Sequence, residues 1–343
     1  MSRNTSKNNE KANWGVLDLC CGMGGLTLAA KNLGLRPLAG IDTNHEYLES
    51  FKANFPDAAI CQGDIGSEEI IAKCNKIIKK ERDRLKGIVV VSGPPCQGFS
   101  VAGKRLNNDP RNLVMVSVAK AIGKLRPDVA IVENVPAINS ILHNQVIRKF
   151  RRSLNYYGYS VRTFELDALV FGAPQRRRRI VFFINRSKIA RQRINNALLS
   201  LHSSSKTISQ VFDGLPTPKV RPEFYNPATD NGPFANHYAM KHSKKVREKI
   251  AKIDPGKGPL SYRKLKPNGF ASTLISGHRA PPAHYNEARS ITVREAARLQ
   301  GFPDSFLVRG KFGKQMEQVS NAVPLQLGEA VLNVILDIIE ESK

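Results

Sequence analysis

Gly15-Val16-Leu17-Asp18-Leu19-Cys20-Cys21-Gly22-Met23-Gly24-Gly25 is the stretch on which the fold turns. Gly15 to Leu19 is a short apolar run that ends in a glycine-rich loop, the pattern of a buried strand, and a helix follows from about Leu26. Glycines at a strand end let the backbone approach a ligand closely. A second strand, Pro37 to Ile41, ends at Asp42, about 20 residues further on, where an acidic side chain suits a pair of ribose hydroxyls or simply a turn.

The alternation continues along the chain. Glu46 to Asn54 reads as a helix, Gly87 to Ser92 as a strand around Ile88-Val89-Val90-Val91, and Leu113 to Leu125 as an amphipathic helix. Asp128 to Glu133, Ser160 to Asp167 and Ile180 to Asn185 are further strands. Strands alternating with helices predict βαβ units and a mostly parallel sheet, an α/β Rossmann-like fold. Beyond Asn185, prolines from Pro216 to Pro282 break up the pattern as far as about His284. Helices resume over Val293 to Gln300 and Leu325 to Ile339. The expected organisation is a discontinuous sheet domain, 12–187 and 289–343, with a loop-rich domain, 188–288, inserted.

The chain carries 53 basic and 29 acidic residues, a net charge of +24. A field of that sign attracts polyanions, nucleic acid first among them. No apolar run approaches the roughly 20 residues that span a bilayer, so no membrane partner is expected. Met1 to Lys11 is polar, without the apolar core of a secretory signal, and reads as a frayed tail. The five cysteines, Cys20, Cys21, Cys61, Cys74 and Cys96, are odd in number and lack CxxC spacing. That argues against a disulfide framework or a zinc cluster and fits a reducing cytoplasmic setting, near the nucleoid if DNA is the target. No metal is called for.

Gly93-Pro94-Pro95-Cys96-Gln97-Gly98-Phe99-Ser100 directly follows an apolar strand, at the edge where ligands bind in such sheets. Two prolines stiffen the approach to a thiol, a mount that a packing cysteine does not need, so Cys96 is a candidate nucleophile. Glu133-Asn134-Val135 ends a later strand. A thiol and a carboxyl brought together by neighbouring strand ends suit conjugate addition to a pyrimidine: the thiol attacks and the acid activates the ring. Gly63-Asp64-Ile65 could set a carboxylate near an adenine amine. The spacing of a phosphate loop is missing, which favours an adenosyl ligand without phosphates. In Gln175-Arg176-Arg177-Arg178-Arg179, strand-like alternation puts Arg177 and Arg179 on one face and Arg176 and Arg178 on the other.

Together these segments resemble the bacterial-type DNA (cytosine-5) methyltransferase family. The glycine loop, Pro95-Cys96-Gln97, Glu133-Asn134-Val135, Gln175 with Arg177 and Arg179, Arg289 to Glu295, Ala297 to Asp304, and Gln318 to Pro324 match in order. The resemblance implies an enzyme that uses S-adenosyl-L-methionine to methylate carbon 5 of cytosine in a specific double-stranded DNA sequence, through base flipping and a covalent bond to Cys96. It implies that Glu133 contacts ring nitrogen 3 and the exocyclic amine. Arg179 would contact the cytosine carbonyl oxygen and support Glu133, and Arg177 would brace the catalytic loop or a phosphate. The cofactor residues would be Asp18, Cys20, Gly22, Gly24, Gly25, Asp42, Thr43, Asp64, Ile65, Pro95 and Asn321. DNA would meet Gln97, Ser100 and Thr273, and 188–288 would be the target-recognition domain, in which Arg263 and Arg279 could read guanine edges or meet phosphates. A monomer is expected, with a cognate restriction endonuclease left open as a functional partner. The chain departs from the family pattern at Cys20-Cys21, usually Phe-Ala; at Asp42, usually Glu; at Thr43, often aromatic; and at Ser320, usually Gly. Two rivals remain: a transfer RNA cytosine methyltransferase, whose Cys-Phe-Thr tripeptide is missing, and a catalytically silent DNA-binding regulator.

Overall fold

The computed structural model describes residues 13–95, 113–139, 144–223, 225–259, 262–275 and 281–341. Cys96, Gln97, Ser100 and Arg279 lie outside the described residues.

Seven strands form one sheet: β1 (Trp14–Leu19), β2 (Arg36–Asp42), β3 (Ala59–Gln62), β4 (Gly87–Ser92), β5 (Val129–Asn134), β6 (Ser160–Asp167) and β7 (Arg178–Asn185). Their order is β3-β2-β1-β4-β5-β7-β6. The first five run parallel, and β7 lies antiparallel between β5 and β6. Every residue of β1, β4 and β5 is buried. Strands covered on both faces need continuous apolar runs, as Ile88-Val89-Val90-Val91 supplies.

Helices cover the sheet: α1 (Gly25–Asn32), α2 (His45–Asn54), α3 (Glu68–Glu81), α4 (Leu113–Leu125) and α5 (Asn144–Tyr156). The sequence reading missed α3 and α5. Ser67 caps α3 by accepting from the Ile70 N–H, and Ile70, Ile71 and Cys74 face the core. Phe150 and Leu154 anchor α5 beneath Phe182. After β7 come α6 (Arg191–Ser200), α7 (Ile208–Phe212), β8 (Lys219–Val220), β9 (Tyr238–Ala239) and α8 (Lys244–Ala251). The chain ends in α9 (Val293–Leu299), α10 (Phe312–Asn321) and α11 (Leu325–Glu340).

The chain divides into two compact units. The first holds the described residues of Met1–Asp167, Arg178–His202 and Leu327–Lys343; the second holds those of Ala168–Arg177 and Ser203–Gln326. These units are cut differently from the expected 188–288 insert: α6 groups with the sheet, and α9 and α10 with the loop-rich segment.

In the first unit α11 closes the core against α1 and β1. Gly328 makes room for the approach, since a Cβ there would stand 2.8 Å from the Ala29 Cβ. Trp14 Nε1 and Lys86 Nζ both donate to Glu340 Oε1, at 3.0 and 2.8 Å. By length and composition the stretch Phe312–Glu340, which holds α10 and α11, would pass for a membrane span; 67% of its apolar window is buried in the protein. The second unit is organised by buried polar side chains. Arg294 is fully buried and donates to the carbonyls of Ala235, Pro303 and Phe306. Arg289 forks onto both Glu295 oxygens, at 2.7 and 2.8 Å.

Candidate functional site

In an open parallel sheet, ligands bind at the carboxyl ends of the strands where the order reverses, between β1 and β4 here. The loop after β1 turns through two left-handed residues, Cys20 at φ 63° and Gly22 at φ 53°. Left-handed backbone is costly for a side chain such as that of Cys20 and is concentrated at functional sites. At Gly22 a Cβ would meet nothing within 4 Å, so the loop presents an open backbone face. Gly24, also left-handed at φ 94°, is closed off, because a Cβ there would stand 2.4 Å from the Phe55 ring.

Acids gather around this loop. Asp42, at the tip of β2, accepts from the Gly22 N–H and the Asn44 N–H, both at 2.9 Å, so one carboxyl fixes the loop after β1 and the turn after β2. Burial raises its pKa, and those backbone N–H groups oppose the rise. Asp18 is 1% exposed; its Oδ2 accepts from Thr27 Oγ1 at 2.8 Å, while its Oδ1 has no hydrogen-bond partner among the described residues. Burial pushes its pKa up to about 7, with Asp42 adding to the rise. Asp64 accepts from the Gly66 N–H at 2.8 Å, and Ile65 beside it is buried. Burial, together with Asp42, Asp18 and Asp64, drives the Cys20 thiol far above its ordinary range, so Cys20 is no nucleophile. Three carboxyls, an open glycine backbone and a buried carboxyl oxygen without a donor suit a cationic adenosyl ligand and repel phosphates. Thr43 is exposed at the β2 end, and Gly25 is buried at the start of α1.

Between β4 and β5 the second half of the site is built. Arg179 Nε lies 2.6 Å from Glu133 Oε1, and both side chains are about nine-tenths buried. Arg179 also donates to the Arg178 carbonyl at 2.7 Å. Gly93 is close by: a Cβ there would stand 3.7 Å from Glu133 Oε2. Asn134 Nδ2 reaches the Pro94 carbonyl at 3.5 Å, and the hydroxyl of Ser92 donates to the Leu19 carbonyl. The segment leading into Cys96 is thus tied to β1 and β5; Pro95 is exposed at its end.

The arginine run alternates as its spacing predicted: Arg177 and Arg179 are buried, Arg176 and Arg178 exposed. Arg177 and Arg179 nevertheless serve different surroundings. Arg177, in the second unit, donates to the carbonyls of Leu274, at 3.3 Å, and Ser320, at 2.8 Å. It therefore braces the last turn of α10, which ends at Asn321. Thr273 Oγ1 donates to the Arg176 carbonyl at 2.8 Å, and Arg263 is exposed. Thr27 and Asn44 carry no role in the sequence reading, and Ser92 and Asn134 appear there only as members of a strand and a motif. Only Asn44 carried a local signal, a side chain that caps α2 by accepting from the Glu46 N–H.

Fold and site together define an α/β methyltransferase. The profile of the C-5 cytosine-specific DNA methylase family matches residues 15–337. The chain belongs to that family and is a DNA (cytosine-5) methyltransferase. It is 30% identical over 342 residues to the Type II methyltransferase M1.HphI of Haemophilus parahaemolyticus, covering 93% of this chain and 86% of that one. It is 27% identical over 361 residues to M.XorII of Xanthomonas oryzae pv. oryzae, covering 92% and 82%. Among solved structures, one described as a DNA modification methyltransferase encoded within an E. coli prophage superposes with a TM-score of 0.77 at 23% identity, over 95% of this chain and 99% of that one. The S. pombe Dnmt2 methyltransferase gives 0.63 at 16% identity, over 95% and 99%.

Proposed function

We propose that the enzyme methylates carbon 5 of one cytosine within a specific double-stranded DNA sequence, by flipping the base out and bonding Cys96 to it. The observation that carries this reading is the Glu133–Arg179 pair standing beside Gly93, three residues before Cys96. Carbon 6 is unreachable within the stack, so the base must leave the duplex. The Cys96 sulfur adds to carbon 6. Glu133, held by Arg179, hydrogen-bonds ring nitrogen 3 and the exocyclic amine and makes the ring electrophilic. Carbon 5 becomes nucleophilic and is methylated; it then loses its proton, and the sulfur departs as thiolate to restore the ring. S-adenosyl-L-methionine, when bound, supplies the methyl group as an electrophile. Asp18, Cys20, Gly22, Gly24, Gly25, Asp42, Thr43, Asp64, Ile65 and Pro95 would hold it, and the resemblance adds Asn321. Gln97, Ser100, Arg263, Thr273 and Arg279 would contact DNA, with residues 188–288 choosing the sequence. The Type II names of the relatives support a cognate restriction endonuclease as functional partner.

The test uses DNA carrying 5-fluorocytosine at the target. Fluorine replaces the proton that must leave, so the protein is trapped on DNA through denaturing electrophoresis. Trapping should require S-adenosyl-L-methionine and vanish in Cys96→Ser, while Cys96→Ser still binds DNA. A Cys96→Ser protein that methylates at the wild-type rate would overturn the mechanism. A preference for transfer RNA over DNA would favour the first rival reading.

A further inference from the structure

At the opposite edge of the sheet β5 begins where β7 ends, with Val129 paired to Asn185. This edge lies about 13 Å along β5 from Glu133. A cavity of about 460 Å³ opens there, within the first unit. That size suits a small ligand. Pro127, Ile189 and Ile339 form an apolar wall.

The charged lining is mostly cationic: the guanidiniums of Arg82, Arg126 and Arg186 against the carboxylate of Asp128. Arg126 and Arg186 both line the cavity, and among the described residues neither has a carboxylate partner. Arg186 is held by stacking over the Tyr159 ring, 5.0 Å from its centroid, while Tyr159 Oη donates to the Pro127 carbonyl at 2.7 Å. The carboxylate in the lining, Asp128, is already engaged, accepting from Arg82 at 2.7 Å and from the Ile88 N–H at 2.8 Å. Asn185 is 4% exposed; its Oδ1 lies 3.1 Å from Ser160 Oγ, which is also 2.9 Å from the Ser187 carbonyl, and among the described residues its Nδ2 has no hydrogen-bond partner. A buried amide donor left without an acceptor is costly, and its residue lines a cavity beside two guanidiniums that lack a carboxylate partner among the described residues. Arg126 moreover sits at φ 51°, a left-handed backbone that few side chains adopt.

We propose that this cavity binds a small phosphorylated anion, of the size of pyrophosphate or a nucleoside diphosphate, on Arg126, Arg186 and the Asn185 amide. Guanidinium forks match phosphate oxygens, and the amide N–H completes the donor set.

Calorimetric titration of the full chain with pyrophosphate and with ADP tests the assignment. Saturable binding of one equivalent is expected. Asn185→Asp keeps the acceptor for Ser160 but replaces the orphaned donor by a carboxylate, and should weaken binding by about tenfold or more. Arg186→Gln should do the same, as should Arg126→Asn, which tolerates the left-handed backbone; these two carry the test if Asn185→Asp fails to fold. Arg148→Gln, an exposed site elsewhere, removes equal charge and should change nothing. Absence of saturable binding, an equal loss in Arg148→Gln, or binding of duplex DNA alone would overturn the proposal.

Discussion

Arg179 Nε meets Glu133 Oε1 at 2.6 Å, joining the start of an antiparallel strand to the last residues of a parallel one. The antiparallel course of β7 is what makes the pair. It brings the start of β7 to the sheet edge where β5 ends, so the cation arrives on regular structure.

Arg179→Ala leaves the Glu133 carboxylate nearly buried without its cation. Losing one member of such a pair costs about 3 kcal/mol in stability. The rate of methyl transfer should fall by about a hundredfold or more, as for a lost activating acid. Arg179→Lys keeps the charge but not the fork, and should recover stability more than rate. Thermal unfolding and initial rates with labelled cofactor separate the two effects; equal recovery of both would show that charge alone suffices.

Gly22 and Gly24 are both left-handed, yet their alanine variants should differ. At Gly22 the added methyl meets no protein atom, so folding should suffer by only about 1 kcal/mol from backbone strain, while cofactor affinity collapses because the open face is filled. At Gly24 the methyl strikes the Phe55 ring, and the fold itself should be damaged. Denaturant melts and cofactor titration of both variants check this contrast. A Gly22→Ala protein with unchanged cofactor affinity would contradict the site assignment.

Asp18 ionises at 3.8 when unfolded and at about 7 in the fold. Its contribution to stability is therefore full below 3.8 and is lost as pH rises through 7, because the fold holds a proton that the unfolded chain releases. Asp18→Asn cannot ionise, so its stability relative to wild type should rise between pH 4 and 8. Denaturant unfolding of both proteins across that range measures the difference; a flat difference would place an ionised carboxylate in the folded core.

With a net charge of +24, DNA affinity should fall steeply with salt, since each neutralised phosphate releases a counterion. Fluorescence anisotropy on one duplex from low to physiological salt gives the slope. Arg263→Ala should lower that slope by about one unit if Arg263 meets a phosphate, and it should leave cofactor binding alone.

The strand ends that carry the site were legible because they are local: an apolar run, then Asp18 to Gly25, or Gly93 to Pro95, or Glu133. The alternation of Arg176 to Arg179 was equally plain from a period of two. Helix α3 escaped because lysines crowd its apolar positions Ile70, Ile71 and Cys74, and α5 because arginines surround Phe150. The antiparallel insertion of β7 could not be read, since strand direction leaves no mark in a run such as Ile180 to Asn185. Nor could the polar framework of the second unit. Arg294 reads as a surface cation until its three carbonyl partners, one of them 59 residues away, are brought around it.

The bond from Trp14 to Glu340 spans 326 residues, and it sets a timetable for synthesis. The strand that begins the sheet leaves the ribosome well before the helix that seals it. At typical elongation rates roughly twenty to sixty seconds separate the two. Throughout that interval the apolar face of β1 and α1 lacks its covering helix. The nascent chain thus has a long window in which it depends on chaperones or on transient cover from its own later segments.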